Sequence, residues 1–187
     1  MGSASMRWLF LLLLPLSLAG CGSMMDDLNP SGSNKQPVVL PGTTGYQVGQ
    51  NAPDFTISDT FGNSVMLSSA LTGTAIKGVV LYFTMWCPVC DTHMSHIRDS
   101  LMPQFAGVTY FAADYVSGSV AQARQSEMDN GYDGSGFVVL ADTSNCVLGA
   151  YHATMGTTVV IDRTGVVLMN EDFKDGTRLR NILTNLP

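Results

Sequence analysis

The stretch of this chain best equipped for chemistry is Trp86-Cys87-Pro88-Val89-Cys90. It follows Val79-Val80-Leu81-Tyr82-Phe83, a β-branched and aromatic run after a glycine, which predicts a buried strand. Pro88 falls where the first residue of a helix would stand, because its fixed φ suits that place and its missing N–H would have no partner there. Beyond it Cys90, Met94, Ile97 and Leu101 recur at helical spacing on one face, and Pro103 marks the expected end. Cys87 is thereby set at the helix N-terminus, where free N–H groups and the helix dipole favour a thiolate. Cys90 lies one turn in on the apolar face, where burial disfavours it. An exposed, readily ionised sulfur beside a shielded one suits thiol–disulfide exchange, the first attacking and the second resolving. A plain disulfide and half of a zinc site are the alternative readings. A zinc site of four cysteines needs a second Cys-x-x-Cys, which the chain lacks.

Other candidate ligands are harder to gather. His93 and His96 extend the spacing to Cys-x-x-Cys-x-x-His-x-x-His, but on a helix His96 points roughly 120° away from His93. One helix cannot wrap four ligands around a tetrahedral ion without unwinding. Both histidines are therefore read as partly exposed helix-surface residues, with His93 able to tune a nearby thiol. Cys146 is the odd thiol once the other cysteines are assigned, and is expected to be a small buried hydrophobe.

The elements that must position the pair alternate. Val108 to Ala113 is a second buried-type strand, and Ser119 with Gln122 opens a helix that Asn130-Gly131 closes. Phe137 to Leu140 is a third strand, followed by a short helix from Asp142 through Cys146 to Tyr151. Thr157 to Ile161, the turn Asp162-Arg163-Thr164-Gly165, and Val166 to Met169 predict a β-hairpin, and Leu179, Ile182, Leu183 and Leu186 an amphipathic last helix. Strand–helix alternation ending in hairpin plus helix implies an α/β domain with parallel strands joined by helical crossovers.

Residues 79–90, Val-Val-Leu-Tyr-Phe-Thr-Met-Trp-Cys-Pro-Val-Cys, resemble the strand–motif–helix of thioredoxin-like proteins, most of all the periplasmic TlpA/ResA-like and AhpC/TSA-type (redoxin) branch. Val48-Gly49-Gln50-Asn51-Ala52-Pro53-Asp54-Phe55 resembles the G-x-x-A-P-D-F opening of that branch, and Thr157 to Gly165 extends the likeness towards the C-terminus. The resemblance covers 47–187 and implies a thioredoxin-like fold, a central mixed sheet flanked by helices. Phe61-Gly62-Asn63 and Val65 to Ser68 would form its N-terminal β-hairpin extension. It implies a redox-active Cys87–Cys90 disulfide, no cofactor, and protein thiol or disulfide substrates served by an upstream electron donor. Trp86, Pro88, Val89, Met155 and Gly156 would form the docking surface. Gly156 stands where the family usually carries a cis-proline, which predicts a more open site and a looser loop.

Two relatives suggest other chemistry. Copper-handling Sco-like proteins pair two cysteines with a histidine, which here would be Cys87, Cys90 and His152, able to take copper or zinc. Their cysteines are separated by three residues rather than two. Thr84-x-x-Cys87 resembles the Thr-x-x-Cys of thiol peroxidases, but Val80 replaces their proline and no arginine directly precedes Thr157.

The N-terminus supplies an address. Arg7, the apolar run Trp8 to Leu14, and Leu18-Ala19-Gly20-Cys21 have the order of a signal peptide, with an apolar core too short to span a bilayer. Leu-Ala-Gly-Cys resembles the bacterial lipobox, which predicts a leader over 1–20, lipidation (palmitate) of Cys21, and a lipoprotein of the cell envelope. Gly22 after Cys21 implies the periplasmic face of the outer membrane. Residues 21–46, rich in Ser, Gly, Asn and Pro, are expected to be a flexible tether before the domain at 47–187. The formal net charge of -6 argues against a nucleic-acid surface.

Overall fold

The computed structural model describes residues 39–187. The leader, Cys21 and most of the expected tether lie outside the described residues. Hydrogen bonding to the domain begins upstream of Gln47: the Thr43 carbonyl accepts the Asn51 N–H at 2.9 Å, and the Tyr46 carbonyl accepts the Asn170 side chain at 3.0 Å.

The Ala-Pro-Asp-Phe stretch acts as a clasp. Asp54 Oδ1 takes the N–H groups of Phe55 and Ser68 at 2.9 and 3.0 Å, and the Tyr151 hydroxyl donates to the Pro53 carbonyl at 2.7 Å. Strands β1 (Thr56–Ser58) and β2 (Ser64–Met66) then pair antiparallel across a turn in which Asp59 Oδ1 takes the N–H groups of Phe61 and Asn63. This is the expected hairpin, but shorter. Leu67, which the sequence placed in the second strand, opens a helical turn, α1 (Leu67–Ala70), and so buries its side chain.

The central sheet has the order β5-β4-β3-β6-β7. Its middle strand β3 (Gly78–Thr84) is buried along its whole length, which is why it reads as an unbroken apolar run rather than an alternating one. Val80 and Tyr82 pack into one face and Val79, Leu81 and Phe83 into the other, as the period of two requires. Strand β3 is parallel to β4 (Val108–Asp114), which is parallel to β5 (Val138–Ala141). Strands β6 (Thr157–Asp162) and β7 (Val167–Asp172) run antiparallel to β3 and to each other, making the sheet mixed.

Between β3 and β4 the chain forms α2 (Pro88–His96), widens into a π-helical turn at Ile97–Leu101 and tightens into a 3₁₀ turn at Met102–Gln104 around Pro103. The expected face holds: Cys90, Met94, Ile97 and Leu101 are all fully buried. Helix α3 (Val120–Asp129) is capped by Ser119, whose Oγ accepts the Gln122 N–H at 3.2 Å. Gln122 reaches back one residue further than a capping box requires, to the Gly118 N–H at 3.0 Å. Helix α4 (Cys146–Ala150) leads to Tyr151, and α5 (Thr177–Thr184) buries Leu179 and Leu183 against the same face as α2.

Candidate active site

The end of β3 delivers Thr84-Met85-Trp86 to the N-terminus of α2. Trp86 has φ 59°, a left-handed conformation that a bulky side chain adopts only when its surroundings hold it there. Its N–H donates to Thr84 Oγ1 at 3.1 Å and its indole N–H to Asp114 Oδ2 at 2.8 Å. Asp114, at the end of β4 and without solvent exposure, also takes the N–H groups of Val116 and Ser117 and the Ser117 hydroxyl. A buried carboxylate with four donors is well satisfied, and it pins the tryptophan in front of the cysteines. Thr84 is fully buried, and its Oγ1 accepts the Trp86 N–H within the local turn.

Cys87 is the N-cap of α2, and its Sγ accepts the Cys90 N–H at 3.2 Å. Desolvation is the largest single influence on this thiol and opposes ionisation. Hydrogen bonds from the Cys90 thiol and from the N–H groups of Cys90, Val89 and Cys87 itself outweigh it together, and the pKa falls below the ordinary thiol value. Cys87 is half-buried and Cys90 fully buried, both as free thiols, so the expected division of exposure between the two sulfurs is present. Met85, Pro88 and Val89, which flank Cys87 in the chain, are exposed, as is Met155 next to Gly156, while Trp86 is half-buried.

Behind the pair lie groups that the motif alone does not disclose. The Tyr82 hydroxyl is 3.0 Å from His93 Nδ1, and the His93 ring lies against Phe173 with centroids 4.6 Å apart. Burial lowers the pKa of His93. On the other side, the Tyr132 hydroxyl is 2.8 Å from Asp91 Oδ1 and its ring is 6.0 Å from that of Trp86, while the Arg98 guanidinium lies 5.4 Å over it. Burial first, then Asp91, pushes the Tyr132 phenol up to about 12. Tyr82 was legible as the one polar tip in the run 79–83, and Asp114 as the charge closing Phe111-Ala112-Ala113. Tyr132 gave no such signal.

Three expectations change. Gly156 is in its expected place beside the site, but its loop is tied rather than loose. Its N–H donates to the Phe83 carbonyl at 3.0 Å, and its carbonyl accepts the Phe173 N–H at 2.8 Å. Its φ of 85° explains the glycine directly, and the described residues contain no cis peptide. Cys146 is exposed rather than buried, because it starts α4 at the surface with Sγ 3.4 Å from Asp142 Oδ1. His152, also at positive φ, stacks on Tyr46 with centroids 4.1 Å apart. No three metal-binding side chains come together among the described residues. His96 lies apart from the pair, against Gly176 and Phe173.

A strand-delivered thiol pair at a helix N-terminus, on a mixed sheet with an N-terminal hairpin, defines a thioredoxin-like protein. The model of the AhpC/TSA family matches residues 48–169, and the chain belongs to that family. No curated protein sequence matches it. Among solved structures it is similar to a putative protein disulfide isomerase of Bacteroides thetaiotaomicron, at 26% identity and TM-score 0.60 over 74% of this chain and 86% of that one. It is also similar to a putative thiol:disulfide interchange protein DsbE of Chlorobium tepidum, at 24% identity and TM-score 0.59 over 76% and 100%. The exposed lipoprotein thioredoxin Etrx1 of Streptococcus pneumoniae shares 22% identity at TM-score 0.52 over 72% and 100%. The chain is thus an oxidoreductase of the thioredoxin-like class.

Proposed function

We propose that the chain is a membrane-anchored, extracytoplasmic thiol–disulfide oxidoreductase that reduces disulfides in other proteins. The observation that carries this reading is the asymmetry of one pair. Cys87 is accessible, caps α2 and is held towards its thiolate, whereas Cys90 is buried one turn in. In this mechanism the Cys87 thiolate attacks a substrate disulfide, one substrate thiol leaves, and Cys90 then displaces the second by closing the Cys87–Cys90 disulfide. An upstream donor returns the pair to dithiol. The apolar rim of Met85, Trp86, Val89 and Met155 would seat the substrate segment around its cystine, with little sequence demand. Anchoring through Cys21 rests on Leu18-Ala19-Gly20-Cys21, and the similar pneumococcal thioredoxin is itself an exposed lipoprotein.

The test is trapping. Cys90→Ser should accumulate a mixed disulfide between Cys87 and a disulfide-bonded protein substrate, and Cys87→Ser should form none and lose reductase activity. Equal trapping by both variants, or activity surviving Cys87→Ser, would refute the assignment.

A further inference from the structure

Both edges of the central sheet are covered along part of their length. On β5, Asp59 forms an antiparallel bridge to Leu140, and the Thr60 N–H donates to the Val139 carbonyl at 3.0 Å. On β7, the Gly49 N–H donates to the Val167 carbonyl and the Val167 N–H to the Gln50 carbonyl, each at 2.9 Å. Beyond Val167 that cover stops. Among the described residues, no backbone hydrogen bond reaches the outer side of residues 168–172. The Phe173 N–H turns inward to the Gly156 carbonyl at 2.8 Å, so alternation along the strand points the N–H and C=O of Asn170 and Asp172 outward.

We propose that this open edge seats an extended segment of a disulfide-bonded substrate protein as a sixth strand of the sheet. This rests on the oxidoreductase reading above and adds to it a second point of contact with the substrate. A row of outward N–H and C=O groups is completed by an extended backbone. The side chains of β7 show where those of an added strand would go. Met169 and Phe173 pack with Leu179 of α5, and Glu171 pairs with Arg178 of that helix at 2.9 Å. Asn170 turns the other way, to the Tyr46 and Tyr151 carbonyls. Each direction ends in a groove. One, of about 360 Å³, lies between the edge and α5 and is lined by Phe173, Leu179 and Ile182. The other, of about 660 Å³, is lined by Tyr46, Val48, His152 and Asp172. Successive side chains of the added strand would enter the two in turn, as the period of two requires.

The edge also leads to the chemistry. Phe173 follows it directly, with its ring 4.6 Å from that of His93 on α2, and Gly156, which takes the Phe173 N–H, is preceded by exposed Met155. An added strand lies three strand spacings of about 4.8 Å from β3, a gap that about four or five extended residues cross at about 3.3 Å each. A cystine that far along the segment reaches Cys87. Asp172 and Asp175 have no ion pair among the described residues, against the single unpaired cation Lys174 between them, so the edge favours a segment that carries lysine or arginine. A second copy of the chain is disfavoured, because self-pairing centred here would bring Glu171 and Asp172 of both copies together.

The test uses reduced full-length protein and a short synthetic peptide of valine, threonine and lysine whose cysteine is joined to nitrothiobenzoate. The peptide is made unmodified, N-methylated at every even amide, and N-methylated at every odd amide, and dithiobis-nitrobenzoate alone reports the chemistry without docking. An added strand turns only alternate N–H groups to β7. One methylated peptide should therefore lose about tenfold in kcat/KM, the worth of about two backbone hydrogen bonds, while the other keeps most of its rate. Asp172→Pro removes an outward N–H that an edge strand can give up, and should lose most of this preference with turnover of the free reagent unchanged. Asp172→Asn, which keeps the N–H, should retain it. Equal rates for all three peptides on wild type would overturn the added strand and leave the oxidoreductase intact, and this holds even if Asp172→Pro does not fold. A preference undiminished in folded Asp172→Pro would also overturn it. A dimer in sedimentation that Asp172→Pro splits would give the edge to a second copy instead. Failure of wild type to reduce even the free reagent would overturn the oxidoreductase reading itself.

Discussion

At the scale of single residues, the site depends on where protons and backbone angles are held. The folded pKa of Cys87 lies below the ordinary thiol value, so the folded chain binds fewer protons in the window between the two. Stability of the reduced protein should therefore rise with pH across that window, be complete above the unfolded value, and be lost as pH falls through the lowered one. Unfolding titrations of wild type against Cys87→Ser, both reduced, should show this slope only in the wild type. For the same reason Cys87 should alkylate at mildly acidic pH before Cys90 does, and peptide mapping that finds Cys90 labelled first would reverse the roles. Gly156 makes a separate claim. At φ 85° a Cβ is strained even though its nearest neighbours are at ordinary contact distance. Gly156→Ala should thus cost about 1–2 kcal/mol in denaturant unfolding. Gly156→Pro should cost more, because it also removes the N–H given to Phe83. Equal stability of all three chains would mean that the loop relaxes freely.

At the scale of elements, the active site is the meeting of the ends of β3 and β4 with the start of α2. Asp114 joins them, and its removal tests that joint. Asp114→Ala would leave the Val116 and Ser117 N–H groups and the Trp86 indole without their acceptor, at about 0.5–1.5 kcal/mol for each hydrogen bond lost by a part-buried donor. Disulfide reduction should fall with it as Trp86 loses its anchor, whereas a variant as stable and active as wild type would show that packing alone holds the ring. The elements themselves were largely readable: β3, the buried face of α2, the capped α3 and the closing hairpin all announce themselves by period or by cap. The joints between them were not. Asp114 and Tyr132 reach the site from chain segments far from the cysteines, across contacts that no local pattern encodes. The hairpin is fastened in the same hidden way. The Thr60 hydroxyl donates to buried Glu127 of α3 at 2.6 Å, Glu127 pairs with Arg124 at 2.8 Å, and Arg124 lies over the Phe61 ring. Gly156 shows the other kind of miss, since a type that implied freedom was selected by one required angle.

At the scale of the whole molecule, the proposed role depends on how the domain is held at a membrane and what it can reach. An acidic chain of net charge -6 gains nothing from an anionic lipid surface, so a covalent lipid at Cys21 would have to supply the attachment. A single acyl chain binds only marginally, and a mature lipoprotein cysteine carrying more than one would hold firmly. Expressed in a bacterium, the wild type should fractionate with membranes and carry the mass of an acylated chain cleaved before Cys21. Cys21→Ser should lose both the added mass and the membrane association, while a purified domain lacking the leader and tether should still reduce a model disulfide at the wild-type rate. Membrane association that survives Cys21→Ser with its mass unchanged from wild type would remove the lipid anchor. It would leave the chemistry of Cys87 and Cys90 untouched, because nothing in that pair draws on the tether.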